Sequence, residues 1–250
     1  MSLGGLFSLP VARATMRERG PVFLPAGLAV LMTLAGTSNA YGSGWAGETF
    51  SGFAGFFLIG LTMALGAGLI SDEIDSGHAQ LVLLRPLTRA EWFGGRLVGA
   101  GAVLAGAIFV TWLCGGLSVV ATRRGGLDVA WAVTLPLTII EGLAWLSTLA
   151  MMSVFLARWM NVGALLMLIM TFFFLMFTLP LAIGRPGLMD TLRSVNRFLG
   201  PQGMGELLRQ VRKGTRPDLS PVFYDLLWMF GCWLAGALLL NRREIARRQK

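Results

Sequence analysis

Three carboxylates within four residues, Asp72, Glu73 and Asp75, precede Gly77 and the chain's single histidine, His78. Arg85, Pro86 and Arg89 follow a short apolar run, AQLVLL, over 79–84. Opposite charges packed this densely, with an apolar strip between them, suit ion pairing with another protein. Gly77 can break or redirect the chain, and Pro86 limits any helix running into it. His78 could sense pH; the plainer alternative is that it packs at the same surface. One histidine excludes a multi-histidine metal site. A second chemical candidate stands alone: Glu141 lies about ten residues into an uncharged run. An intramembrane carboxylate costs about 2.5–3.5 kcal/mol on insertion scales. Glu141 should therefore face the bundle, a partner chain or a wet cavity. There it could line a substrate path, take up a proton or bind a cation; the competing reading is a hydrogen bond to a neighbouring Ser or Thr. Asp225 sits close enough to the end of its own apolar run to reach head-group water.

The elements that carry these residues follow from composition. Of 250 residues, 55% are hydrophobic and only 14% charged, against about 25% charged in soluble domains. With several uncharged runs of about 20 residues, the chain is read as a polytopic membrane protein. The net charge of +8 is not read as a nucleic-acid footprint, because the basic residues cluster at the ends of apolar runs, where lipid head groups and topology account for them. Cys114 and Cys232 lie inside apolar runs, so no disulfide or metal spacing is expected.

The expected fold is all-α, a single transmembrane domain over 1–250 with six spans, at 22–38, 50–70, 94–120, 130–156, 162–183 and 221–240. Residues 3–19 read as an amphipathic helix in the membrane interface. Gly52, Gly60, Ala64 and Gly68 share a small-residue face in the second span, and Gly95 and Gly99 another in the third. The 184–220 loop is expected to form two short amphipathic helices on the membrane surface, around 188–199 and 204–211. A pair dipping into the bilayer is the alternative. Met160, Met167, Met170, Met176 and Phe172–Phe174 either line a lipid-like route or face lipid. Six spans place both termini, and the 71–93 island, on one side. That side holds twelve of the 21 Lys and Arg residues, so it is assigned to the cytoplasm. The acids of the island are expected to hold the helix end at the water boundary, with Arg89, Arg96 and Trp92 marking the return to the membrane.

The order Glu73, Gly77, Leu84, Pro86, Thr88-Arg89, Gly95-Arg96 resembles the permease subunits of ABC-2 type transporters. Departures are His78 where threonine is common and Arg96 where lysine is common; neither removes a charge. The resemblance implies a permease, expected to be an exporter, in a bacterial inner membrane with cytoplasmic termini. It also implies that 71–93 is the coupling segment docking on a separate cytosolic ATPase. Asp72, Glu73, Asp75, Gly77, His78, Arg85, Pro86 and Arg89 would then form the docking face. The competing view makes these charges a solvated loop and topology anchors. A second permease chain, a copy or a paralogue, would complete the machine. ATP and Mg would sit on the ATPase and no cofactor on this chain: the only lysines, Lys213 and Lys250, fit no phosphate-cradling Gly-Lys-Ser/Thr loop. The alternative function is a mechanical subunit that passes force to a membrane or periplasmic partner. A membrane enzyme ranks lower, for want of clustered acids and histidines.

Overall fold

The computed structural model describes residues 8–22, 59–79, 87–122, 127, 129–174, 201 and 204–242. Helices α1 (Leu9–Arg19), α2 (Ser71–Asp75), α3 (Arg89–Thr122), α4 (Val129–Met152), α5 (Arg158–Phe173), α6 (Gly205–Arg212) and α7 (Ser220–Arg242) succeed one another, with a further helical stretch over 59–66. No strand occurs among the described residues. Three helices, α3, α4 and α7, are long and apolar enough to cross a membrane. The first, second and fifth expected spans fall wholly or partly outside the described residues, as do the expected helix at 188–199, Arg85, Pro86 and Met176.

The 34 residues of α3 measure about 51 Å at 1.5 Å per residue, well beyond an apolar core of about 30 Å. Its charged first turns, up to Arg96, therefore project beyond the apolar stretch. They begin five residues before the expected start at 94 because a capping box starts the helix. The Thr88 backbone N–H donates to Glu91 Oε2 at 2.8 Å, and the Glu91 N–H donates to Thr88 Oγ1 at 3.2 Å. The threonine and the glutamate three residues on satisfy each other's amides.

Small residues bring the helices together. A Cβ on Gly95 would lie 2.8 Å from the Ser8 carbonyl oxygen, and one on Gly99 2.5 Å from that of Ala12. This glycine seam admits the backbone of α1, which buries Ala12, Thr15 and Arg19 against it. Gly236 of α7 likewise leaves room for the Phe93 ring, and Gly66 for Leu149. The face expected at Gly60 and Gly68 behaves differently: Gly60 meets nothing among the described residues, and Gly68 abuts the Asp72 side chain. Trp92, expected at an interface, is fully buried with Phe93 in the main core, among Leu65, Leu104, Leu146 and Leu240. A helix about four turns longer than the bilayer needs can surround its own first turns with protein.

The chain 157–161, expected as a loop, is mostly helix. Ala157 is the N-cap of α5, and Asn161 is fully buried. Its Nδ2 donates to the carbonyls of Ala67 at 2.9 Å and Leu149 at 3.0 Å. It ties the end of the 59–66 helix to the last turn of α4.

Helix α6 takes its period from Leu207, Leu208 and Val211, which follow Met204. Their apolar side is buried on Leu137 of α4, with Val133 and Ile140 beside it. This differs from a helix lying on a lipid surface. Met204 meets Glu141, the thirteenth of the 24 residues of α4, about 18 Å along its axis. The start of α6 therefore stands level with the middle of α4. Gly214, at φ +64°, turns the chain back toward α7.

Candidate functional site

Two polar centres emerge, one beside the C-terminal ends of α4 and α7, the other at the middle of α4 and the second turn of α7. The first gathers the acids of the island. Glu73 is 7% exposed and forms an ion pair with Arg96 Nη2. The other terminal nitrogen of Arg96 lies 2.6 Å from Glu18 Oε2 and 3.2 Å from Thr15 Oγ1. Arg96 thus joins α1, α2 and α3. Asp72 Oδ2 lies 3.5 Å from Arg158 and 3.9 Å from Arg19, whose Nη2 also donates to the Gly68 carbonyl at 3.4 Å. Three carboxylates and three guanidiniums, drawn from α1, α2, α3 and α5, make up this chain of ion pairs.

The candidate docking residues therefore divide. Glu73 turns inward, with Asp72 half-exposed beside it in ion pairs, and the expectation that Glu73 holds the water boundary does not hold: a guanidinium within the fold replaces the water it would need. Asp75 and His78 are exposed, with His78 Nδ1 3.2 Å from Ser76 Oγ. Between them Gly77 adopts φ +78°, a conformation that strains any residue with a Cβ. Arg89 points to the end of α7, where its Nη1 donates to the carbonyls of Leu240 at 3.0 Å and Asn241 at 3.1 Å. These are carbonyls at a helix C-terminus, where a cation is favoured. Arg96 and Glu18 were missed as parts of one site. Their charges are visible in the sequence, but their pairing across 78 residues is not.

The second centre surrounds Glu141. Its carboxylate accepts a hydrogen bond from the Met204 backbone N–H at the start of α6, so it caps that helix from a neighbouring one. Asp225 of α7 lies near enough for the two carboxyls to repel. Asp225 is fully buried rather than reaching head-group water, because α7 turns this side of its second turn toward the bundle. One helix turn deeper, Trp228 Nε1 donates to Thr148 Oγ1 at 2.8 Å, and Thr148 Oγ1 donates to the Ala144 carbonyl at 2.9 Å. On α5, Met160, Met167, Met170 and Phe174 are exposed.

Long apolar helices that meet through glycines, with charge gathered at one end, define a multi-pass membrane protein. The family model described as ABC-2 family transporter protein matches residues 12–244, nearly the whole chain, and the chain belongs to that family. It is a transporter permease of the ABC-2 type. No curated protein matches it.

Proposed function

We propose that this chain is the membrane subunit of an ATP-driven ABC-2 exporter, worked by a separate cytosolic ATPase that grips it at 71–93. ATP and Mg belong to that ATPase. A second permease chain, a copy or a paralogue, completes the path, and both termini lie in the cytoplasm of a bacterial inner membrane. The observation that carries this reading is the division of the island. Asp75 and His78 stand outward around the Gly77 turn, while their neighbours tie the same segment to three helices. A solvated loop has no need of such anchorage. Of the docking residues inferred from the sequence, Asp75 and His78 are then the contacts among the described residues. Glu141 is the candidate for a polar site on the substrate path.

The test is retention of a co-expressed cytosolic ABC ATPase by the tagged full chain in detergent. Asp75→Lys should lower retention about tenfold or more, the scale of a like charge placed in an interface, with membrane insertion unchanged. Equal retention by parent and variant would count against docking here. Substrate-stimulated ATP hydrolysis in proteoliposomes separates export from the transmission of force to another partner.

A further inference from the structure

We infer that Glu73 and Arg96 are positioning residues: they make α1, α2 and the first turns of α3 one body, so that a pull on the exposed 75–78 turn moves the α3 span. This rests on reading 75–78 as the docking face, and it gives Glu73 a different part from its neighbour Asp75.

Three independent features support it. Glu73 is shielded from any outside partner, since its side chain is 9% exposed and pairs with Arg96. Arg96 is as deeply placed and holds Glu18 of α1 with its other terminal nitrogen, so the guanidinium fixes both α1 and α2 to α3, beside the longer Arg19–Asp72 contact that joins α1 to α2 directly. A planar guanidinium holding a carboxylate on each side fixes direction as well as distance. The glycine seam then removes the remaining freedom. With the Ser8 and Ala12 carbonyls where Cβ atoms would otherwise be, α1 cannot slide along α3 without losing contact. Gly77, at φ +78°, turns the chain between the contact residues at the edge of this body. Without the clamp, a pull there would swing α2 and leave α3 in place.

The experiment places spin labels at the exposed positions Arg17 and Asp75 of the full chain, with Cys114 and Cys232 replaced by alanine. Distances are read by pulsed electron resonance in lipid nanodiscs without any ATPase. The parent should show one narrow distance peak. Glu73→Gln should lose that peak to a broad distribution while its melting transition remains cooperative, and Glu73→Asp should recover it in part. If Glu73→Gln fails to fold, Glu18→Gln serves: it weakens only the α1 arm, leaving the Arg96–Thr15 bond, at a half-exposed residue, and should broaden the same distance to a lesser degree. A narrow peak retained in whichever variant folds, or a broad one in the parent, overturns the inference. Because no ATPase is present, loss of the docking reading would leave this result standing, and the reverse also holds.

Discussion

The two polar centres solve the same problem differently. At the end of α1 and α2, six charged side chains neutralise one another in pairs. Around Glu141, two carboxyls share a neighbourhood with a backbone amide, and a tryptophan–threonine hydrogen bond lies one turn further along α7. The difference follows depth. The first turns of α3 extend past the apolar core, so full charges can be assembled there from the water side. At mid-span an ion pair must be desolvated completely, and the penalty can exceed the attraction. Backbone and hydroxyl groups, which the helix carries in any case, are the cheaper partners. The charged end is therefore held by ion pairs, and the mid-span site by backbone and hydroxyl groups.

The largest effect should come from Arg96→Leu. It leaves Glu73 buried without its partner, a loss of about 3–5 kcal/mol by analogy with broken buried pairs. Thermal unfolding in detergent, followed by tryptophan fluorescence, would show a large drop in midpoint. A drop no larger than that of the mid-span variants would erase the contrast between the two centres. Next comes Glu141→Ala, which removes the acceptor at the start of α6. The cost should be about 0.5–2 kcal/mol, the range for losing a helix cap. Hydrogen exchange of the 204–212 amides should rise, and Glu141→Gln, which keeps an acceptor oxygen, should raise it less. Equal exchange in all three proteins would mean that α6 stands without its cap. The smallest effect should be Trp228→Phe. It forfeits one hydrogen bond to Thr148, about 0.6 kcal/mol on average for bonds between membrane helices, with little change in melting midpoint.

How much of this was legible can be argued from particular residues. The spans of α4 and α7 were readable from uncharged runs, within a few residues at most ends. Gly95 and Gly99 announced a close contact by their spacing, but not that α1 would fill it. The Thr88 and Glu91 capping box lay in the sequence as T-x-x-E and could have moved the start of α3 back to Arg89. Asn161 was read as part of a turn, and nothing local distinguishes a turn asparagine from one that bonds two carbonyls of other helices. The apolar period of 204–211 was clear, yet period alone does not say whether the buried side meets lipid or α4. Among the docking candidates, Asp75 and His78 look no different in sequence from Asp72 and Glu73.

The sequence by itself determined that this is a membrane chain with a charged island between apolar runs, because transfer free energies of side chains are local and additive along a run. It determined equally where a glycine could permit a turn or a close approach. Only the tertiary structure decided which charge meets which. Glu73 and Arg96 are 23 positions apart, and Glu18 and Arg96 are 78, so their pairing depends on how α1 sits on α3 and how α2 folds back beside them. Coulomb attraction acts through space over a few ångströms, and only the assembled helices set those distances.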